Sequence, residues 1–124
     1  MKFTLSTGDA GNFFSGYGDG WVEINGVRHG GSLVVDVVQA VRPWVADFAA
    51  LDEQAFASLL DWKPEIIVFG SGATFRFPHP GLTRALVAAR VGLEVMDTPA
   101  ACRTFNVLAG EGRRVLAAIL LKSA

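Results

Sequence analysis

Residues 65–72 read EIIVFGSG, an apolar run that ends in a Gly-Ser-Gly loop. A continuous apolar run of this length is typical of a β-strand covered on both faces, so Glu65–Phe69 is predicted to be such a strand. Two further segments of the same kind follow, Leu93–Met96 and Arg113–Leu121. Between the first two, Pro80–Val91 has apolar residues at helical spacing. We therefore predict that a helix joins these strands, as in sheets covered by helices.

A second helix is predicted directly after Leu93–Met96. Asp97 or Thr98 suits its N-cap, Pro99 suits its first turn, and the helical pattern runs to about Ala109. Strands joined by helical crossovers are parallel, and their carboxyl ends meet at the same edge of the sheet. We therefore expect the first two strands to lie side by side, with a crevice where they end.

The first third of the chain has the pattern of antiparallel β-structure. Trp21–Ile24 alternates and ends at Asn25-Gly26, a strong hairpin signal because both turn positions tolerate positive φ. Ser32–Val38 is predicted to be a further buried strand. Together these elements predict an α/β fold, α+β by a stricter label. The prediction is a single compact domain over residues 1–124, with an N-terminal antiparallel hairpin joined to a β-α-β-α-β unit in one mixed central sheet with flanking helices.

Composition excludes several classes of protein. Hydrophobic residues make up 51% of the 124 residues and charged residues 19%, which excludes disorder. Lys and Arg number 11 against 12 Asp and Glu, so no basic field is available and nucleic-acid binding is not expected. One cysteine and two histidines cannot form a standard metal cluster, so neither a metal nor another cofactor is expected.

The chain is expected to be cytoplasmic. Residues 1–14 read MKFTLSTGDAGNFF, which has one lysine and no apolar core of the kind that a signal peptide needs. The longest purely apolar run is Val115–Leu121, far short of the about 20 residues of a membrane-spanning helix. We therefore expect no membrane span.

The second half of the chain resembles a known family. Gly92–Asn106 reads GLEVMDTPAACRTFN, with EIIVFGSG upstream and EGRRVLAAIL downstream. This pattern is similar to the Mth-domain family, small α/β proteins of unknown function that include an assembly factor of mitochondrial respiratory complex I. Leu93 and Phe105 stand where the family pattern has Val and Tyr. The resemblance implies a mixed central sheet with flanking helices, a last strand that runs against its neighbours, and no established enzymatic activity.

Seven residues are candidates for ligand binding at the predicted crevice. Backbone N–H groups of a glycine loop can hold an anion, although a tight turn explains the same glycines. Asp and Thr at a helix start can anchor a ligand or simply cap the helix. An arginine can form a fork for a carboxylate or phosphate, or remain a solvated charge. The candidates are Gly70, Ser71, Gly72, Asp97, Thr98, Arg103 and Asn106.

Cys102 is a weaker candidate, as a reactive thiol. Placed in the first turn of the predicted helix, its thiol would have a pKa lowered by the helix dipole. The alternative is a buried and inert thiol, since free cysteines are among the most buried residues. No residue is predicted to be catalytic, because no general base lies in a recognisable pattern.

Two classes of function therefore stay open. The first is an interaction or assembly-factor-like protein without chemistry, which would bind a protein partner or associate with itself. The second is a binder or enzyme for a small anionic or acyl ligand, held at the strand ends near Gly70–Gly72 and Asp97–Thr98. The second requires the glycine loop and Asp97 to share a pocket.

Overall fold

The computed structural model describes residues 11–121 and arranges them in two β-sheets with helices between and around them. The strands are β1 (Phe14–Gly18), β2 (Trp21–Ile24), β3 (Val27–His29), β4 (Leu33–Val35), β5 (Arg42–Pro43), β6 (Ile66–Gly70), β7 (Gly92–Met96) and β8 (Val115–Ile119). The α-helices are α1 (Glu53–Ala57), α2 (Arg84–Ala88) and α3 (Thr98–Gly110). Short 3-10 helices lie at Phe48–Ala50, Ser58–Trp62 and Pro80–Thr83.

Five strands form a mixed sheet in the order β5-β4-β8-β6-β7. β6 and β7 are parallel neighbours, with Phe69 opposite Val95 and Gly70 opposite Met96. This confirms the predicted pairing of the first two apolar strands. β8 is parallel to β6 but antiparallel to β4. The last strand thus runs against only one of its two neighbours, because α3 carries the chain back across the sheet in a crossover connection.

The predicted hairpin forms, but in a sheet of its own. β1, β2 and β3 make a three-stranded antiparallel sheet, and Asn25 and Gly26 turn the chain with φ of 52° and 84°. The fold class predicted from the sequence is confirmed, whereas its single central sheet is wrong. The small sheet instead lies against one face of the large one, so that Val22 and Ile24 share a core cluster with Phe105.

Three predicted elements are shorter than expected, and one of them is Arg113–Leu121, of which only Val115–Ile119 is strand. Pro80–Val91 is a 3-10 turn followed by the five-residue helix α2, and the left-handed residue after the helix is Arg90, with φ of 59°. The predicted strand Ser32–Val38 covers only Leu33–Val35. The carboxylate of Asp36 accepts hydrogen bonds from the N–H groups of Val38 and Gln39, which turns the chain out of the strand.

The core has two layers, one on each face of the large sheet. β8 alternates between them: Val115, Ala117 and Ile119 face α3 and the small sheet, while Leu116 and Ala118 face α1 and α2. Both faces of this central strand are therefore buried, as its continuous apolar sequence predicts.

Two predictions concern the ends of the chain. The predicted domain bounds, residues 1–124, and the interpretation of residues 1–14 as lacking a signal peptide fall partly outside the described residues. Both stay predictions. Between residues 11 and 121, no helix is long and apolar enough to cross a membrane.

Candidate functional site

The glycine loop after β6 and the start of α3 meet, as the sequence predicts. The N–H of Gly72 donates to Oγ1 of Thr98 at 3.0 Å, and the N–H of Thr98 donates to the carbonyl oxygen of Gly72 at 2.8 Å. Thr98 Oγ1 also donates to the carbonyl oxygen of Leu120 at 2.6 Å. The buried Thr98 hydroxyl therefore links the ends of β6, α3 and β8.

The first turn of α3 has its backbone donors already in use. Asp97 is the N-cap and its Oδ1 accepts from the N–H of Ala100 at 2.9 Å. The N–H of Ala101 donates to the carbonyl oxygen of Asp97, and Pro99 has no N–H to offer. Helix N-termini bind anions through free N–H groups. An anion here would have to displace the internal acceptors.

Ser71 is fully buried, and its hydroxyl holds the loop in shape. It donates to the carbonyl oxygen of Thr74 at 2.7 Å and accepts from the N–H of Arg76 at 3.0 Å. Its own N–H donates to the carbonyl oxygen of Met96, which extends the pairing of β6 with β7 by one residue. The Ser71 side chain therefore stabilises the loop and does not face solvent.

Gly70 is a glycine because α3 packs closely on β6. A Cβ at this position would lie 2.9 Å from Thr98 Oγ1 and 2.9 Å from Cδ1 of Ile119, well inside van der Waals contact. The absence of a Cβ at Gly70 lets α3 approach the end of β6. The residue shapes the crevice from behind and does not line it.

A cleft of about 340 Å³ opens beside this junction. Its walls come from the β1–β2 turn, the glycine loop, the start of α3 and the residues after β8; they are Tyr17, Gly18, Asp19, Gly20, Gly72, Ala73, Thr98, Pro99, Leu120 and Leu121. Of the seven predicted ligand residues, only Gly72 and Thr98 line it. The β1–β2 wall is not among the predicted site residues, although Asp19-Gly20 carries the Asp-Gly signal of a tight turn.

Arg103 and Asn106 join α3 to the small sheet. Arg103 donates to the hydroxyl of Tyr17 at 2.6 Å, and its guanidinium lies 5.8 Å from the Tyr17 ring centre. The Asn106 amide accepts from the N–H of Phe14 at 2.9 Å and donates to its carbonyl oxygen at 2.8 Å. Asn106 thus pairs with β1 as a neighbouring strand would, and both residues have internal partners.

Cys102 lies in the second turn of α3, and its side chain is fully buried. Burial raises the pKa of the thiol from 9.0 to about 12, which outweighs the opposing effects of the Arg103 charge and a backbone hydrogen bond. The expectation of a lowered pKa is therefore wrong, because desolvation of the buried thiol dominates its pKa. The alternative of a buried, inert thiol agrees with this environment.

A metal centre is not formed by the described residues. From residue 11 to residue 121, no three His, Cys, Asp or Glu side chains come together in a way that could hold a metal ion. His79 instead accepts a hydrogen bond from the N–H of Gly81 through its Nδ1.

Comparison with known proteins identifies relatives of the chain. Residues 14–120 match the model of a protein family of unknown function (DUF498/DUF598). An uncharacterised protein of Rhodobacter capsulatus is 40% identical over 105 residues, which cover 85% of this chain and 81% of that protein. The NADH dehydrogenase [ubiquinone] 1 alpha subcomplex assembly factor 3 of Bos taurus is 35% identical over 100 residues. These cover 78% of this chain and 54% of the bovine protein, so the chain matches about half of that relative's length.

A solved structure has the same fold. The solution NMR structure of a Mth938-like domain from Bordetella pertussis superposes with a TM-score of 0.78 at 31% identity. The match covers 99% of this chain and 94% of that domain. The resemblance predicted from Gly92–Asn106 and its flanks is therefore confirmed.

Proposed function

The chain belongs to the DUF498/DUF598 family of proteins of unknown function, and on that premise we propose that it is a non-catalytic, assembly-factor-like protein that binds a protein partner. The observation that carries the proposal is the 35% identity to a bovine protein named as an assembly factor. An assembly-factor-like role requires contact with another protein.

The geometry of the crevice supports contact over chemistry. The residues that resemble a ligand site, Ser71, Asp97 and Thr98, have hydrogen-bond partners inside the protein. The one thiol is buried and has a raised pKa. A nucleophile needs an accessible group, and the side chains of Ser71, Thr98 and Cys102 are buried.

An exposed aromatic pair supports a protein-binding surface. Phe75 and Phe77 lie on the loop after β6, with 54% and 69% of their surface exposed and their ring centres 4.8 Å apart. Between them, Arg76 turns back and covers the ring of Phe48 at 3.9 Å. The loop therefore presents two adjacent apolar rings to solvent, a feature that commonly marks a partner surface.

The proposal is tested by affinity capture from native lysate of the source cells with the tagged chain. A partner identified by mass spectrometry should be retained by the wild type and lost from the double variant Phe75→Ser/Phe77→Ser. Val107→Ser is the matched control, because Val107 is 59% exposed on α3 and loses a similar kind of surface. A wild-type chain that is strictly monomeric by sedimentation and retains no protein would refute the proposal.

Self-association is the second form of the same proposal. If the aromatic pair binds a second copy of the chain, the wild type will sediment as a dimer and the double variant as a monomer. Both outcomes assign the protein a contact function, and the sedimentation result decides which partner is involved.

The cleft favours one alternative, the binding of an acyl ligand. Its lining residues include Pro99 and Leu121, which are apolar, and an acyl chain needs no free N–H donor. Thermal-shift measurements with short fatty acids test this alternative. A ligand present at about 100 times its Kd adds about 2.7 kcal/mol of stability, so the absence of any shift across the series would count against it.

The cytoplasmic location expected from the sequence is part of the proposal. Cell fractionation with an antibody against the chain tests it. Recovery in the soluble cytoplasmic fraction supports the expectation, and recovery in a membrane or organelle fraction contradicts it.

A further inference from the structure

The two outer strands of the large sheet differ in how well their outer edges could pair with another strand. β5 has only two residues, and one of them, Pro43, lacks an N–H. Brevity and proline are common ways in which proteins protect a sheet edge from pairing. β7 has five residues, no proline and, between residues 11 and 121, a single strand partner, β6.

The small sheet also has protected edges. On β1, the Asn106 amide occupies both backbone groups of Phe14. β3 is only three residues long and runs into Gly30-Gly31. In the described part of the chain, β7 is therefore the sheet edge with the longest stretch open for pairing.

The outward groups of β7 follow from its pairing with β6. Gly92 donates its N–H to Glu65, and the Met96 carbonyl oxygen accepts from Ser71, so the backbones of both residues face β6. Backbone groups alternate in direction along a strand in a parallel pair. The N–H and carbonyl groups of Leu93 and Val95 therefore point away from β6, at the outer edge of the sheet.

We propose that the outer edge of β7 receives an extended segment of the protein partner as an added strand, with a lysine or arginine of that segment opposite Glu94. This inference rests on the proposed contact function and assigns it a surface. Strand addition of this type uses backbone hydrogen bonds for affinity and alternate side chains for specificity. The alternating pattern of β7 supplies both components.

The side chains of β7 determine the chemistry of the occupant. Leu93 and Val95 are half-buried on the α2 face, so apolar residues of an added strand would extend that core. Glu94 is exposed on the opposite face and makes no ion pair or side-chain hydrogen bond with the described residues. A basic residue directly across from it would form a favourable cross-strand pair.

A second copy of the chain fits this edge poorly. In the antiparallel register that pairs all five residues of β7 with a symmetry-related β7, Glu94 lies opposite Glu94. Like charges directly opposite each other destabilise a strand pair. The other registers that use the outward groups are shifted by two residues and lose part of the pairing.

The test uses two peptides that differ only in the residue expected to face Glu94. They are acetylated and amidated Thr-Thr-Val-Lys-Val-Thr-Thr and the same sequence with Glu in place of Lys. Titration into the ¹⁵N-labelled chain should shift the amide signals of Leu93 and Val95 first. The Lys peptide should bind about 2- to 5-fold more tightly than the Glu peptide, as expected for one cross-strand charge pair.

Charge reversal provides the matched control. Glu94→Lys should invert the preference between the two peptides, whereas Glu111→Lys, a similar change at an exposed position beyond the end of α3, should leave it unchanged. A Lys peptide in which the three central residues are N-methylated should not bind. Absence of saturable shifts at Leu93 and Val95, or a preference that Glu94→Lys leaves unchanged, would overturn the inference.

Failure of this inference can be distinguished from failure of the proposed function. If the peptide titration fails as described while Phe75→Ser/Phe77→Ser loses a partner that the wild type captures, the edge proposal is wrong and the contact function stands. If the wild type captures no partner and is monomeric, the contact function itself is wrong. Dimers that form through Leu93 and Val95 would also overturn the edge proposal, since its occupant is a foreign segment.

Discussion

The crevice beside Gly72 and the outer edge of β7 differ in whether their polar groups have hydrogen-bond partners. In the crevice, the hydroxyls of Ser71 and Thr98 and the carboxylate of Asp97 hold neighbouring parts of the fold together. At the outer edge of β7, the backbone groups of Leu93 and Val95 point away from β6, the one strand that pairs with β7 within residues 11–121. The polar side chains that resemble a ligand site in the sequence have hydrogen-bond partners within the fold, whereas the outer edge of β7 has no strand partner among residues 11–121.

The difference teaches how polar residues at strand ends should be interpreted. Asp, Ser, Thr and Gly are the residues that cap helices and shape tight turns, and they are also typical of ligand sites. The two roles diverge only when hydrogen-bond partners are known. Here the junction of β6, α3 and β8 requires partners for buried backbone groups, and these side chains supply them.

Among the substitutions that test this difference, Thr98→Val should lower the free energy of unfolding most. The substitution keeps the shape of the side chain but leaves the N–H of Gly72 and the carbonyl oxygen of Leu120 buried without a partner. Two such groups should lower the free energy of unfolding by about 4 kcal/mol, as measured by urea denaturation. Thr104→Val, the same change in the same helix at a half-buried position, is the control and should cost far less. Equal losses in the two variants would show that the Thr98 bonds do not hold the junction.

Much of the fold can be predicted because its signals are local. The apolar runs of β6 and β8, the Asn25-Gly26 turn and the Asp97 cap each depend on a few adjacent residues. The separate small sheet could not be predicted in this way. Its position depends on contacts between residues far apart in the chain, such as Asn106 with Phe14. The spacing of apolar residues along the sequence does not predict such contacts.

The candidate site is predictable only in part for the same reason. That the glycine loop meets Thr98 at the start of α3 follows from the parallel strand order, and the structure confirms it, although Asp97 does not line the cleft. Which of these groups remain free depends on partners such as the Leu120 carbonyl oxygen. The raised pKa of Cys102 is likewise set by the packing around it and not by its place in the helix.

Cys102→Ala should change how the free energy of unfolding depends on pH above about pH 9. Because burial raises the pKa of the thiol from 9.0 to about 12, the unfolded chain ionises first as the pH rises. The stabilisation that the neutral thiol gives is complete below about pH 9 and is lost between there and the folded-state value. From about pH 8 to about pH 11, wild type should lose about 3 kcal/mol more stability than the variant. Parallel curves in chemical denaturation would mean that the thiol is solvated in the native state.

Asp97→Ala should produce a smaller loss. The variant removes the side chain that accepts from the N–H of Ala100, and loss of an N-cap costs about 1 kcal/mol. Asp97→Asn should retain most of the stability, since Asn is an equally good cap. Thermal unfolding of the three proteins measures the difference. A variant Asp97→Asn as unstable as Asp97→Ala would show that the charge matters, which favours an anchoring role.

The central claim, that the crevice donors are committed to the fold, is tested most directly by an NMR titration of the ¹⁵N-labelled chain with sodium phosphate. The account predicts that the amide signals of Gly72, Ala100 and Ala101 stay in place, because each N–H already has an internal acceptor. Saturable shifts of these three signals would contradict it and return the crevice to the class of anion-binding sites.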